Sequence, residues 1–353
     1  IDGAGTSFKG TYKFRPFMLR IIKCKNVLVK DISIINSPMW VQHYLACEDV
    51  HIDGIKVNCR INHINDGIDI DGCNNVRISN CEISTGDDAI CLKSTFDQPC
   101  KNVTITNCVI SSACSAFKLG TDSKGGFQNI TLSNCTIYNT GGAGIGLMVV
   151  DDGILDRGSV SNVTMNNVGA AIFIRLGKRT QLYNEKISKQ GKGKLSNVII
   201  SNVQAINVSN YGCSITGIPG YPVENVTLNN IRLTFLGSGT QEFAKREVLE
   251  IPGNYPEFSM FGKLPAYGFY FRHVENLTLN DVELDFIEPD VRSAIVFDDI
   301  TGLELYKIKA RSTGNEPLIQ CKDVKNLFIQ SCITPSGIET FLHISGAKSE
   351  HIT

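Results

Sequence analysis

The chain has 353 residues, with 34 Lys and Arg against 35 Asp and Glu and a formal net charge of −1. That balance argues against a nucleic-acid partner, which would select a basic excess, and no run of eighteen apolar residues is present to span a membrane. The length suggests two or three globular domains unless the chain is a solenoid, whose core grows along an axis.

The sequence opens at Ile1-Asp2-Gly3-Ala4-Gly5 with neither Met nor a signal-like stretch. A processed or trimmed N-terminus is therefore expected, and no targeting is legible. From residue 26 onward a phrase close to Asn-Val-x-Ile-x-Asn-Cys-x-Ile recurs. Its copies begin at Asn26, Asp49, Asn75, Asn102, Asn129 and Arg157, then at Asn197, Asn225, Asn276, Gly302 and Asn326. The first six starts lie 23, 26, 27, 27 and 28 residues apart. A period in the twenties marks a stacked array. The phrase alternates apolar and polar residues and is rich in β-branched ones, which is strand patterning. The leucine-rich signature and a helical period are both missing. These features predict an all-β chain, a parallel β-helix of about ten coils forming one domain over residues 1–353.

Vertical columns support this. Asn80, Asn107, Asn134, Asn162, Asn202 and Asn230 hold one position in successive coils, where Asn tolerates a turn backbone and stacked amides can hydrogen-bond. Cys81, Cys108 and Cys135 form a second column, and Cys24, Cys47, Cys73 and Cys100 a third. The chain has thirteen cysteines, an odd number whose spacing suits neither a disulfide framework nor a zinc site. They read as small core hydrophobes. The Asn-x-Ser/Thr triplets read as by-products of the ladder. Two steps are long, 40 residues from Arg157 and 51 from Asn225. They predict loops near 176–195, with the basic stretches Gly177-Lys178-Arg179 and Gly191-Lys192-Gly193-Lys194, and near 237–266. Loops of this length in a solenoid usually wall a binding surface.

The strand before each phrase aligns on inward apolar residues: Ile68 and Ile70, Ile90 and Leu92, Phe117 and Leu119, Ile145 and Leu147, Ile172 and Ile174. The residues between them point outward. One outward column is Asp69, Cys91, Lys118, Gly146, Phe173, and the next is Asp71, Lys93, Gly120, Met148, Arg175. At the strand entries Asp66 stacks on Asp88 and Asp88 on Ser115, with Asp87 alongside. Coils stack about 4.8 Å apart, so these carboxylates repel and at least one pKa rises. Turn chemistry would account for Asp66-Gly67 alone. The stacked trio, flanked by Lys93 and Lys118, points to function.

The motifs Asn36-Ser37-Pro38-Met39-Trp40, Asp66-Gly67-Ile68-Asp69 and Gly86-Asp87-Asp88-Ala89-Ile90 resemble glycoside hydrolase family 28, the polygalacturonase-like enzymes, over nearly the whole chain. The resemblance implies a right-handed β-helix that hydrolyses glycosidic bonds with inversion, without metal or other cofactor. Asp87 would be the general acid, while Asp66 and Asp88 would hold and activate water. Repulsion from its neighbours would keep Asp87 protonated near neutral pH, as an acid must be. The resemblance also implies a carbohydrate partner and a secreted or periplasmic setting, although free thiols do not favour an oxidising compartment.

The departures concern the sugar. The family's Gly-His-Gly falls on Cys114-Ser115-Ala116. Its carboxylate-gripping Arg-Ile-Lys falls on Gly146-Leu147-Met148, and its Asn before the first aspartate falls on Ile64. The expected substrate is therefore a plant or algal polysaccharide or oligosaccharide other than plain homogalacturonan. Substrate contacts are expected from Asp69, Lys93, Lys118, Ser115, Trp40, His43 and Arg175, and Met148 could face an apolar sugar surface. Lys178 and Arg179 are further cations near the site. Tyr44 lies beside Trp40 and His43, while His63 and His273 read as structural. Two other readings stay open: a calcium-dependent polysaccharide lyase using the same aspartates, and a non-catalytic carbohydrate-binding β-helix.

Overall fold

Residues 68–71, 74–79 and 82–85 form three short strands, and 90–94, 100–106 and 109–112 repeat them one coil later. The computed structural model describes residues 1–179, 193–314 and 316–353. Every named strand pair is parallel, and the pairings join all strands from Leu19 to Ile352 into one continuous ladder. About twelve turns result, somewhat more than the ten expected. The additional turns are terminal, where Asp2 bridges Ile35 and Glu350–Ile352 pairs with 325–327 without carrying the phrase.

The register follows the apolar alternation. Ile68 pairs with Ile90, Ile90 with Phe117, Phe117 with Ile145 and Ile145 with Ile172. A one-residue slip would turn every apolar side chain outward, so burial fixes the pairing. The ladder shifts register at a few points, and one of them bears on the site: after Leu92 and Leu119, Ser94 pairs with Ser123. Gly120 is thereby displaced from the column it was expected to share with Lys93. The inserted segments leave the ladder intact, since Asp156 and Gly158 pair with Ser196 and Val198, and Glu224 and Val226 with Glu275 and Leu277.

The coil corners explain the asparagines. Asn80, Asn107, Asn134, Asn162, Asn202 and Asn230 all take left-handed backbone, φ between 53 and 59°, which Asn accepts better than other L-residues. Their amides climb the stack: Asn162 Nδ2 donates to Asn134 Oδ1 at 3.0 Å, Asn202 to Asn162 at 3.0 Å, and Asn230 to Asn202 at 2.8 Å. The phrase-initial asparagines form a second such ladder, with Asn129 donating to Asn102 and Asn225 to Asn197. Asn202→Ala is expected to lower stability by about 1–2 kcal/mol, the cost of a left-handed L-residue. Asn202→Gly should cost less, because glycine enters that region without strain. Thermal denaturation distinguishes the causes: equal losses in the two variants would assign the effect to the ladder bond and not to the backbone.

All thirteen cysteines are free thiols. Cys81, Cys108 and Cys135 lie in one column inside the core. The Cys47, Cys73 and Cys100 side chains are buried as well, whereas Cys24 at the end of that column is exposed.

The segment after Gly237 leaves the coil, forms one helical turn at Gln241–Ala244 and rejoins at Ala266. A buried ion pair fastens its base. Arg292 binds Asp290 at 2.7 Å and donates to the Leu264 carbonyl, while Asp290 accepts from the Gly239 amide. The excursion folds back over the outward columns. Val248, Phe261, Leu264 and Tyr270 make one apolar cluster there, and Ala143, Met148 and Phe173 make another with Phe258 and Met260. Of the other long loop, residues 180–192, including Gly191 and Lys192 of the basic stretch, lie outside the described residues.

Candidate active site

Two tight backbone crossings place the aspartates. A Cβ on Gly86 would collide with the Asn62 carbonyl oxygen, and one on Gly67 with the Ala89 carbonyl oxygen. Glycine is therefore required immediately before Asp87 and immediately after Asp66. Below them Asn65, fully buried, donates to the Ser37 and Met39 carbonyls at 2.7 and 2.8 Å. This pins the Asn36–Trp40 stretch to the turn that carries Asp66. The Asp87 carbonyl accepts from Thr85 Oγ1 at 2.7 Å and Ser112 Oγ at 2.6 Å.

On this frame Asp66, Asp87 and Asp88 converge as the strand alignment predicted. Single oxygens of Asp66 and Asp88 lie within 4.8 Å of each other, and so do those of Asp87 and Asp88. Two ammonium groups stand in the cluster. Lys118 Nζ is 2.8 Å from Asp88 Oδ2, and Lys93 Nζ is 3.2 Å from Asp66 Oδ2 and 3.2 Å from Asp69 Oδ1. The four carboxyls then separate. Burial raises Asp87 to about 8, helped by the charges of Asp66 and Asp88. Burial also pushes Asp88 up, but Lys118 and Lys93 outweigh it and hold that carboxyl below its usual range. Asp66 is raised by burial against the pull of Lys93. Asp69 is raised well above its usual value, by burial and then by Asp66. Burial works against the charge of Lys93 and Lys118, but the surrounding aspartates outweigh it and hold both ammoniums above their usual range. Asp87 is also the most exposed of the four carboxyls.

Several expected substrate contacts need correction. Arg175 is 1% exposed. Its guanidinium donates to Thr216 Oγ1, the Gly217 carbonyl and the Glu250 carbonyl, so it ties down the 237–266 loop. Met148 is equally buried, beneath Phe258 and Met260, and faces no sugar. His43 is buried, stacks on Phe17 and points Nε2 at Asp71, 3.4 Å away. Asp69 is fully buried. Ser115 acts through its backbone, whose N–H donates to Asp88 Oδ1 at 3.1 Å. Lys93 and Lys118 belong to the aspartate cluster and not to a free surface. Trp40 is partly exposed with Lys93 Nζ 4.6 Å from its ring centre, and keeps its place beside the site. The common cause is cover: sheet alternation says which side chains leave the solenoid core, not what a distant loop lays over them. Arg179 is also engaged, with Asp151 and Asp122. His63 is exposed, and His273 bridges Asp299 and Glu250 away from the cluster.

The 237–266 loop adds residues that the repeat did not reveal. The Tyr255 hydroxyl lies 3.5 Å from Lys118 Nζ, and half of this side chain is exposed. Glu257 follows it, its carboxyl raised by burial against the attraction of Lys118. Cys114 sits against Asp87 and Asp88, one residue before Ser115, the position where the family motif has histidine; burial raises its thiol, and Asp88 adds to the rise. The 51-residue step from Asn225 flagged the loop, but nothing periodic indicated where its side chains would land.

The model of a family described as Glycosyl hydrolases family 28 matches residues 1–249. A probable polygalacturonase of Arabidopsis thaliana is 27% identical over 260 residues, covering 72% of this chain and 56% of that one. Among solved structures, a hyperthermoactive exopolygalacturonase from Thermotoga maritima superposes with a TM-score of 0.55 at 19% identity, over 77% of this chain and 55% of its own. The polygalacturonase from Erwinia carotovora ssp. carotovora gives 0.50 at 22%, over 61% and 55%. These likenesses establish the right-handed β-helix fold. The chain spans about half the length of each of these three relatives.

Proposed function

The chain belongs to the glycosyl hydrolases of family 28, and on that premise we propose that it is an inverting glycosidase acting on a plant or algal polysaccharide or oligosaccharide other than plain homogalacturonan. The observation that carries the reading is the divergence of the carboxyls: Asp87 raised to about 8, and Asp88 beside it lowered. Acid and base assignments follow such splits. Asp87 donates the proton to the leaving oxygen, and Asp66 and Asp88 orient and activate water. The two roles require no metal or cofactor.

The substrate part rests on the cations. Lys93, Lys118 and Arg179 each have aspartate partners within the chain. Gly146 and the buried Met148 stand where the family grips a carboxylate. A charge-assisted contact is worth roughly 1.5–3 kcal/mol, so a site without it gains nothing from a uronate over a neutral sugar. Chromatography of products from a glycan panel is expected to show cleavage of a neutral or deoxy-sugar polymer at least ten times faster than of homogalacturonan. Equal rates on the two would overturn the substrate assignment and leave the hydrolase assignment intact.

A calcium-dependent lyase is less consistent with the geometry. Calcium takes six to eight oxygens, whereas two ammonium groups already stand among these carboxylates. Absence of an ultraviolet-absorbing unsaturated product, with or without calcium, is the matching observation. Polysaccharides of this kind lie outside cells, so the reading includes a secreted or periplasmic location. It takes residues 1–353 as one β-helix domain, supported by strand pairing from Asp2 to Ile352.

A further inference from the structure

Asp69 is an acid inside the site that the proposed reaction does not use. It is fully buried, and among the described residues no backbone N–H or hydroxyl donates to either of its oxygens; its one cationic neighbour there is Lys93. Its neighbours are known from every side. His43 pairs with it in register on the preceding coil, and Cys91 on the following one. Lys93 stands 3.2 Å away, shared with Asp66. The His43 ring is turned to Asp71 through Nε2. Lys93 also contacts the Cys91 sulfur at 3.3 Å and the Trp40 ring. One ammonium therefore serves two buried carboxyls. A second ionised carboxylate that must share one ammonium with Asp66 at this depth is poorly compensated and costly. A protonated one is cheap and supplies a donor.

We propose that Asp69 is a positioning residue that holds a permanent proton and donates it in a hydrogen bond to Asp66, keeping Asp66 the ionised, water-orienting partner of Lys93. This deepens the glycosidase reading and rests on it for the role of Asp66. The charges then balance. Asp66, Asp69, Asp87 and Asp88 bring four carboxyls to two ammoniums. With one proton on Asp87 and one on Asp69, two carboxylates face two ammoniums and the cluster is neutral. The upward displacement of Asp69 by burial and by Asp66 agrees.

Infrared spectroscopy in heavy water at neutral pH reads the proton directly. In Asp87→Asn, which removes the other protonated carboxyl, a carbonyl band of a buried carboxylic acid is expected. It should vanish in Asp87→Asn/Asp69→Asn. No such band in Asp87→Asn overturns the inference, whatever the activity of the chain. Kinetics supply the second arm. Asp69→Leu, lacking the donor, should raise the acid limb of the pH–rate profile, while KM changes less than about threefold because Asp69 does not reach the sugar. Asp69→Asn keeps a donor and should leave that limb in place. A tenfold rise of KM with the pH profile unmoved would assign Asp69 to substrate binding and also overturn the inference. A chain inactive on every glycan would instead defeat the hydrolase reading and leave the infrared result standing.

Discussion

Asp87→Asn is expected to lower the hydrolytic rate at least about a hundredfold, the usual contribution of a positioned general acid, and to make the folded protein more stable. The amide keeps the shape of the side chain but has no proton to give to the leaving oxygen. The stability gain follows from linkage. Burial and the neighbouring Asp66 and Asp88 raise the carboxyl to about 8 in the folded chain, against an unfolded value of about 3.9. The folded state therefore binds this proton more tightly than the unfolded one, and wild-type stability falls as pH rises between those values. The asparagine variant has nothing to titrate there. Its melting temperature should match wild type near pH 4 and exceed it increasingly toward pH 8. The same raised carboxyl sets the alkaline limb of the wild-type rate profile, with activity declining above about pH 8. Wild-type turnover in Asp87→Asn would remove Asp87 from the acid role.

Lys118→Met is expected to be the most destabilising single change at the site. It leaves Asp88, 3% exposed, without the ammonium 2.8 Å away, and stranding one member of a buried pair typically costs about 3–5 kcal/mol. The Ser115 N–H remains as an acceptor's partner for Asp88 but carries no charge. Without Lys118 the carboxyl of Asp88 moves up, so the water-activating group is protonated over more of the working range. Activity should fall on acidic and neutral glycans alike. Lys118 read from the sequence alone invites a different experiment, in which its loss would spare a neutral substrate and abolish an acidic one. The pairing with Asp88 predicts that the comparison shows no such selectivity. The double variant Lys118→Met/Asp88→Asn provides the control, recovering much of the stability but none of the activity. If Lys118→Met melts within a degree of wild type, the ion pair contributes nothing to the fold.

Local rules carried the solenoid a long way. The alternation of apolar residues, a period in the twenties and asparagines at left-handed corners together determine strand, coil and register, because each is decided within one coil or by its two neighbours. The convergence of Asp66, Asp87 and Asp88 belongs to the same class. Once Ile68 is set against Ile90 and Ile90 against Phe117, the residues at the strand entries have no other place to be. What tertiary structure alone decided is everything governed by the 237–266 excursion and by side-chain reach. Arg175 and Met148 lie on the outer surface of the coil, as the alternation predicts, yet both are buried, because the 237–266 segment later in the chain packs over them. Tyr255 reaches Lys118, and Glu257 comes under the influence of its charge, for the same reason. Lys93 and Lys118 could have pointed at a ligand or at the aspartates, and long flexible side chains take the direction their surroundings stabilise. Here that direction is inward, since four buried carboxyls without those two cations could not all be accommodated. A repeat constrains residues that share its period. An insertion shares none, and its contacts are fixed only by the packing of the finished fold.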